Sequence, residues 1–280
     1  MAIVGLGLMG GSLGLALKRD TICRQVVGLV RREDAVESAL AAGIVDIATT
    51  DPAAALRQAD IVFFATPVRT MLTQIKTFTP FYKPDAIITD MGSTKQDVVQ
   101  VMNSLPLGLQ PVGSHPMCGK EKSGMDVAEA NLFENAPWII TPLDRTTPET
   151  IHTIQFLAEA IGSRVQILPA DRHDQLVATI SHLPHILAVT LVATALRVAE
   201  QDNTVWDVAA TGFKDTSRVA AGSVDMWLDI LLTNQTAVSQ VLNIAQQQLS
   251  QIKAAISQGD EAVLRSILEA AAEQRRTMYQ

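Results

Sequence analysis

The chain has 280 residues, 48% of them hydrophobic, and a formal net charge of −7 at pH 7. This length exceeds the roughly 100–200 residues of a typical domain, so we expect two domains or one large one. The acidic balance, with a pI near 5.2, gives no general attraction for nucleic acid or an anionic membrane surface. Any anionic ligand must therefore be held by local basic groups.

Cysteine usage and hydropathy indicate the compartment. The two cysteines, Cys23 and Cys118, have neither a pairing motif nor metal-type spacing, which is typical of a reducing compartment, and we expect no metal site. The longest apolar stretch, 186–196, is shorter than the roughly 20 residues that span a bilayer. No basic residue precedes the apolar N-terminal run, so we expect no signal peptide. We therefore predict a cytoplasmic protein with no membrane partner.

A glycine-rich turn separates the first apolar strand from a helical pattern. Gly5 allows a sharp turn, Gly7 removes a side chain where a pyrophosphate approaches the backbone, and Gly10 lets the helix lie close to the strand. The helix N-terminus then offers N–H groups to phosphates. The turn therefore predicts a dinucleotide site, although a flexible loop has the same composition. Its residues are Gly5, Leu6, Gly7, Leu8, Met9 and Gly10.

The second strand ends in two arginines where NAD-binding folds carry an acidic residue. Arg31 and Arg32 suit the 2′-phosphate of NADP, because a guanidinium can grip it with parallel hydrogen bonds. The pair could instead simply begin a solvated helix. We predict NADP as the cofactor.

Apolar strands alternate with helical segments up to residue 169, which predicts βαβ units and a mainly parallel sheet of the Rossmann type. Thr66 and Pro67 follow the strand that ends at Ala65, so they should lie at the carboxyl edge beside the cofactor. We assign residues 1–169 to an NADP-binding domain of this α/β class.

From residue 170 the apolar pattern becomes helical nearly to the end. Between 177 and 199 the only formally charged residue is Arg197, so this helix should be buried on all sides, and Pro184 should interrupt it near His182. Such burial suggests a subunit interface. We assign residues 170–280 to an all-α substrate and dimerisation domain, and we expect a homodimer.

Polar clusters follow strands or helix breaks at three places, which are residues 90–95, 114–121 and 181–185. Ser93 and His115 should point into the crevice at the carboxyl edge of the sheet. A neutral imidazole can accept the proton of an alcohol that is being oxidised, so His115 is the candidate base of a hydride-transfer enzyme, although a histidine can also merely cap a loop.

Four motifs occur in register behind the glycine turn. They are Asp90-x-Gly-Ser-x-Lys95, His115-Pro-Met-x-Gly119-x-Glu121, Ser181-His-x-Pro-His185 and Asp215-Thr-Ser-Arg218-Val-Ala220. In their order and spacing, the chain resembles the prephenate and arogenate dehydrogenases of tyrosine synthesis over nearly its whole length. It looks most like the NADP-using arogenate dehydrogenases of the cyanobacterial type.

The resemblance implies oxidative decarboxylation of a small-molecule substrate, arogenate or prephenate, with hydride passing to NADP and carbon dioxide leaving as the ring aromatises. It places His115 at the ring hydroxyl as the proton acceptor, with Ser93 nearby to fix the imidazole and the substrate. Arg218 would pair with a substrate carboxylate. The other residues on the substrate side are His182, His185 and Glu121.

Several alternatives stay open. Arg218 could form a surface ion pair with Asp215, and one of the two later histidines could bind backbone carbonyls that Pro184 frees. The substrate could be prephenate. A 3-hydroxyacid dehydrogenase or imine reductase would rely on a lysine, and a non-catalytic NADPH sensor would bind cofactor without turnover. Unlike some relatives, the sequence shows no attached mutase or C-terminal regulatory domain, so we expect no allosteric control by a separate domain.

Overall fold

The structure, a computed structural model, describes residues 1–120 and 122–278. Eight strands form one sheet in the order β3-β2-β1-β4-β5-β6-β7-β8. The strands are β1 (Ala2–Val4), β2 (Val27–Leu29), β3 (Ile47–Thr49), β4 (Ile61–Phe64), β5 (Ile87–Asp90), β6 (Gln110–Pro116), β7 (Pro137–Pro142) and β8 (Arg164–Ile167).

The first six strands are all parallel, and their order is that of a dinucleotide-binding Rossmann fold. The predicted α/β class with a mainly parallel sheet is therefore confirmed. β7 pairs antiparallel with β6, and β8 pairs parallel with β7. This reversal was not predicted from the sequence, because the residues of a strand do not indicate in which direction it pairs with its neighbour.

Helices connect the strands and form the second half of the chain. They are α1 (Leu8–Arg19), α2 (Glu33–Ala41), α3 (Pro52–Leu56), α4 (Val68–Thr77), α5 (Gln96–Asn103), α6 (Pro148–Ala160), α7 (Ala170–Val177), α8 (Leu183–Ala199), α9 (Thr211–Ser217), α10 (Val224–Thr233), α11 (Gln235–Gln258) and α12 (Glu261–Thr277). Three short 3-10 turns lie at Thr79–Phe81, Asn203–Trp206 and Arg218–Ala221.

Two apolar clusters lie on the two faces of the sheet, because neighbouring residues of a strand point to opposite faces. Ile3 and Phe63 belong to one cluster, which also contains residues of α1 and α6. Val4 and Phe64 belong to the other, which contains residues of α3, α4 and α5. Both faces of the sheet are thus covered, which explains the nearly continuous apolar strands.

After β8, the described residues contain no further strand, as expected for an all-α second half. A π-helical turn, Ala178–His182, joins α7 to α8, and the Leu183 N–H donates to the carbonyl of Ala178, five residues earlier. Pro184 lies in the first turn of α8. The expected interruption near His182 is confirmed, because proline has no N–H to continue the α-helical pattern.

The apolar helix α8 is not buried within one chain. Its buried residues are His185 and Ala188, whereas Leu187 and Leu196 are 43% and 53% exposed. The prediction of burial on all sides is therefore wrong for a single chain, because this helix lacks cover over most of its surface. Within the described residues, the run Ala170–Ala199 also has the length and hydropathy of a membrane span. Helices of soluble proteins can have the same length and hydropathy, so a single such helix is weak evidence for a membrane span.

The described chain divides into two compact units, Met1–Gln235 and a second that begins at Thr236. The first unit contains the sheet together with helices α1 to α10, and the second contains nearly all of α11 and the whole of α12. The predicted domain boundary between residues 169 and 170 stays a prediction.

Candidate active site

The glycine-rich turn joins β1 to α1 as the motif predicts. Gly5 has a φ of +90°, a conformation that disfavours a side chain. A Cβ on Gly10 would lie 1.9 Å from the Gly5 carbonyl oxygen, so only glycine lets the helix approach the turn. A Cβ on Gly7 would meet nothing within 4 Å, which leaves open space in front of the α1 N-terminus. This turn can therefore accommodate a phosphate against its backbone.

Two other predicted cofactor segments lie at the same edge of the sheet. A Cβ on Gly5 would meet the Thr66 methyl group at 2.7 Å, so the loop after β4 touches the glycine turn. Pro67 follows, and α4 begins at the next residue. Arg31 and Arg32 are exposed after β2, and Arg32 Nε lies 3.0 Å from Asp34 Oδ1. The parallel pairing of β2, β1 and β4 brings these segments to one edge.

Asp90, the last residue of β5, organises the adjoining loop. Its buried carboxylate accepts hydrogen bonds from the backbone N–H groups of Gly92, at 2.7 Å, and Ser114, at 2.9 Å. It also forms an ion pair with the ammonium group of Lys95, and both side chains are fully buried. These bonds tie the loop that carries Ser93, which is half-buried, to the strand that carries His115.

His115 lies near the carboxyl end of β6 and contacts a second buried histidine. Its Nδ1 is 2.8 Å from Nε2 of His173 on α7. Nδ1 of His173 is in turn 2.8 Å from Oδ1 of Asp174. Asp174 thus begins a chain of three hydrogen-bonded side chains that ends at His115.

The protons of this chain follow from what each group can donate. The Asp174 carboxylate only accepts, so Nδ1 of His173 donates to it. Burial lowers the pKa of His173, and burial together with the nearby His173, Lys95 and His182 lowers the pKa of His115 well below 6.5. Both rings are then neutral, so Nε2 of His173 accepts from Nδ1–H of His115. The remaining nitrogen of His115, Nε2, carries a lone pair and can act as a base.

Asp174 also fixes the start of α5. Its Oδ1 accepts from Lys95 N at 2.7 Å and its Oδ2 from Gln96 N at 2.9 Å. The carboxylate of Asp174 does not cap its own helix, α7, but reaches across to the free N–H groups at the start of α5. One carboxylate therefore anchors both a helix end and His173.

His182 and His185, which the resemblance places on the substrate side, lie around Trp227. The ring of His185 stacks on Trp227 with centroids 3.6 Å apart, and His182 meets the same indole edge-on at 6.1 Å. Nδ1 of His185 is 2.9 Å from the Val219 carbonyl oxygen, to which it must donate. This carbonyl is not one that Pro184 frees, since Val219 lies 34 residues from His185. Burial lowers the pKa of both histidines.

The remaining predicted residues are less enclosed. Arg218 begins a 3-10 turn and its side chain is exposed in the single chain. Glu121 lies outside the described residues. An amino-acid substrate would bring an ammonium group that an acidic side chain could bind. Asp171 and Asp215 are both exposed. Asp174 is unsuited to that role, since it is fully buried and already accepts three hydrogen bonds.

A 3-hydroxyacid dehydrogenase or imine reductase would rely on a lysine, and the two lysines within the motifs, Lys95 and Lys120, both form ion pairs. Lys95 is held by Asp90, while Lys120 Nζ lies 2.6 Å from Glu129 Oε2. Burial lowers the pKa of Lys95, and the nearby Asp90 opposes this shift. A lysine that is paired within the fold is a poor acid-base group, so the histidine chain is the better candidate.

His173 and Asn234 are site residues that the sequence analysis missed. Asn234 Nδ2 donates to the Asp174 carbonyl at 2.8 Å and lies 3.3 Å from Nδ1 of His182. A signal for His173 was present, since it lies four residues before Val177 on the apolar face of α7. Asn234 gave no such signal, because a single amide at the end of a helix looks like an ordinary cap.

A Rossmann sheet with an open glycine turn, and with an oriented neutral histidine near the carboxyl end of β6, is typical of a dinucleotide-binding dehydrogenase. Comparison with known proteins supports the same class of protein. Residues 13–167 match the family "Prephenate dehydrogenase, nucleotide-binding domain", and residues 169–270 match "Prephenate dehydrogenase, dimerization domain".

Individual relatives resemble the chain over nearly its full length. A cyclohexadienyl dehydrogenase of Zymomonas mobilis is 36% identical over 93% of this chain and 89% of its own. The structure of Aquifex aeolicus prephenate dehydrogenase with hydroxyphenyl propionate and NAD+ is 29% identical, with a TM-score of 0.91 over 99% of this chain and 97% of that one. Synechocystis arogenate dehydrogenase is 31% identical, with a TM-score of 0.82 over 99% of each chain. The chain belongs to the prephenate dehydrogenase family.

Proposed function

We propose that this protein is an NADP-dependent arogenate dehydrogenase, which oxidises and decarboxylates L-arogenate to L-tyrosine. The observation that carries the proposal is the buried chain from Asp174 through His173 to His115, which leaves Nε2 of His115 as a hydrogen-bond acceptor. A dehydrogenase acting on a ring alcohol needs such an acceptor where the hydroxyl proton leaves.

The glycine turn fits the pyrophosphate of a nicotinamide dinucleotide. The N-cap of α1 is Gly7, which makes no side-chain cap, so the first N–H groups of the helix are available for a phosphate. When bound, the nicotinamide supplies the hydride acceptor. We assign its contacts to the backbone of the glycine turn and to the loop of Thr66 and Pro67, which touches that turn.

Arg31 and Arg32 support NADP rather than NAD. They follow β2 at the edge where the ribose of the cofactor would lie, and both are exposed. Arg32 lies beside Asp34, but both side chains are more than half exposed, so this ion pair is weak and can exchange for a phosphate.

We assign the proton of the ring hydroxyl to Nε2 of His115. As this proton leaves, the ring carbon bonded to the hydroxyl gives up hydride to the nicotinamide and becomes a carbonyl carbon. The bond from the ring to its carboxylate then breaks and carbon dioxide leaves. The released electron pair makes the ring aromatic, and the carbonyl oxygen becomes the phenol oxygen of the product as it takes back the proton from His115. As His115 gains a proton, its charge is stabilised through His173 by the Asp174 carboxylate.

Arogenate and prephenate differ only in the side chain, which ends in an amino acid or a keto acid. The named neighbours include both an arogenate and a prephenate dehydrogenase at similar identity, so they favour neither. We favour arogenate because the two arginines after β2 accord with the NADP-using members that the sequence resembles. Prephenate is the second candidate.

Steady-state assays with four pairs of substrates test the proposal. Arogenate and prephenate are each combined with NADP and NAD, and the reduced cofactor and the aromatic product are measured. We expect the highest kcat/KM for arogenate with NADP, with tyrosine as product. Equal turnover of prephenate would remove the selectivity for arogenate, and cofactor binding without turnover of either compound would support the sensor interpretation.

We further propose that the protein forms a homodimer through its helical half. The match to a dimerisation domain over residues 169–270 supports this, as do the exposed apolar side chains of α8. These include Leu187, Val189, Leu196 and Val198. Their burial against a second copy would remove a large apolar surface from water.

Light scattering of a matched pair of variants tests the dimer. Leu196→Glu places a charge on the exposed face of α8, whereas Leu107→Glu alters a side chain that is 89% exposed in the loop before β6. We expect the first variant to dissociate at concentrations where the second stays dimeric. A wild-type monomer, or a dimer that tolerates Leu196→Glu, would contradict this assignment.

A further inference from the structure

Asn234 and its neighbour Thr233 together join three parts of the site, although no motif contains them. Asn234 follows the last residue of α10 and is 3% exposed. The adjacent Thr233 Oγ1 lies 2.8 Å from Thr94 Oγ1 in the loop after β5. The amide of Asn234 lies between α7 and the π-helical turn, within reach of Asp174 and His182. The end of α10 is thus anchored on the loop that carries Ser93.

The orientation of the Asn234 amide follows from chemistry. The Asp174 carbonyl oxygen, 2.8 Å from Nδ2, can only accept, so the NH2 group of Asn234 must face it. The second hydrogen of the same NH2 group then faces Nδ1 of His182, at 3.3 Å. Exchanging the oxygen and nitrogen of the amide would bring two acceptors together, which is unfavourable in a buried site.

The tautomer of His182 follows in turn. Burial lowers the pKa of His182 to about 4, so the ring is neutral at physiological pH. Since Nδ1 accepts from Asn234, the single ring proton must be on Nε2. His182 therefore offers an N–H donor, whereas His115 offers a lone pair on its corresponding nitrogen.

We propose that Asn234 is a positioning residue that fixes His182 as a hydrogen-bond donor, whereas His115 is an acceptor. This inference rests on the proposed function and deepens it. An Nε2–H group donates to a carbonyl or carboxylate oxygen, which the substrate and the carboxamide of the cofactor can each provide. One buried amide and one buried carboxylate thus give two histidines opposite roles.

The direct test is the tautomer of His182 in the substrate-free protein. NMR of protein with isotopically nitrogen-labelled histidine distinguishes the two ring nitrogens, and loss of a signal in His182→Gln assigns it among the five histidines. We expect the proton on Nε2. A proton on Nδ1 in the wild-type protein would overturn the proposal, and this readout does not depend on which substrate the enzyme uses.

The substitution Asn234→Asp tests the cause. A carboxylate can only accept, so at a pH where His182 stays neutral its single proton must move to Nδ1 and leave Nε2 without one. We expect the tautomer signal to invert and kcat/KM to fall about tenfold or more. The KM that rises identifies the partner of His182 Nε2–H. A higher KM for the substrate indicates the substrate, and a higher KM for NADP indicates the cofactor carboxamide. Asn131→Asp, the same change at an exposed position, should alter neither signal nor rate.

A purely structural role for Asn234 gives a different result. In that case Asn234→Asp would lower Tm while the tautomer signal and the KM values stayed those of the wild type, which would overturn the proposal. If Asn234→Asp does not fold, Asn234→Ala removes the donor without adding a charge. We expect that variant to lose the fixed Nε2–H tautomer, and retention of it would equally contradict the assignment.

Discussion

Nδ1 of His115 lies 2.8 Å from Nε2 of His173, and neither ring is exposed enough for water to compete effectively for this hydrogen bond. The contact determines which nitrogen of His115 carries the proton. It also connects the strand β6 of the Rossmann sheet to the helix α7 of the second half, so the proposed base is oriented by a residue from the other part of the sequence.

The first prediction concerns Asp174→Asn. The amide has one oxygen where the carboxylate has two, so one of its three donors loses its partner, which costs roughly 1–3 kcal/mol of unfolding free energy. We also expect kcat to fall about tenfold or more, because a neutral amide stabilises the charge that His115 gains through His173 less than the carboxylate does. Thermal unfolding and steady-state kinetics measure the two effects.

Asp171→Asn is the matched control, since Asp171 is exposed on the same helix. It should leave both kcat and Tm unchanged. If Asp174→Asn lowers Tm but leaves kcat unchanged, Asp174 is only a cap for α5 and the orienting role is wrong.

The second prediction is loss of stability in mild acid. His182 has a folded-state pKa of about 4 against 6.5 when unfolded, so between these values the unfolded chain binds more protons. The contribution of His182 to the free energy of unfolding is complete above pH 6.5 and is lost as the pH falls toward 4. It is on the order of 3 kcal/mol. Buried His115, His173 and His185 shift in the same direction.

Urea unfolding at a series of pH values from neutral to about 5, above the range where most carboxylates titrate, measures this slope. His182→Gln should flatten the slope. His152→Gln should leave it unchanged, because His152 is exposed on α6. A flat wild-type profile over this range would show that these histidines are not held neutral by burial.

The third prediction is a change of cofactor preference in Arg31→Asp. Loss of a charge-assisted bond to the 2′-phosphate is worth roughly 1.5–3 kcal/mol, which is a tenfold or larger rise in the KM for NADP. The constant for NAD should stay the same or fall. Arg24→Asp is the control, as Arg24 is an exposed arginine in the loop before β2. Unchanged constants for both cofactors in Arg31→Asp would remove the basis for assigning NADP.

The sequence predicted those parts of the fold whose signals are local. The glycine turn is specified by residues that must lack side chains, and Pro184 by its missing N–H, so both were found from a few neighbouring residues. The position of His115 near the carboxyl end of β6 was predicted from the strand pattern, because the carboxyl ends of parallel strands lie at the ligand edge of the sheet; its catalytic role stays a prediction.

The parts that were missed depend on contacts between distant segments. Asp174 and Asn234 are 60 residues apart, and Lys95 and Asp174 are 79 apart. No pattern in either segment shows that the end of α10 meets α7, or that Asp174 caps α5 rather than its own helix. The exposed surface of α8 was misjudged for a related reason, since an apolar pattern does not tell whether the same chain or a second copy provides the cover.

Steady-state kinetics of His115→Asn test the central claim, that His115 is the base, most directly. Asparagine keeps a polar side chain but cannot take the proton, so kcat should fall about 100-fold or more with little change in the substrate KM. Arg218→Gln, assayed beside it, should chiefly raise the substrate KM, because Arg218 is assigned to binding. A His115→Asn enzyme with wild-type kcat, or one that matches Arg218→Gln in raising KM alone, would contradict the account.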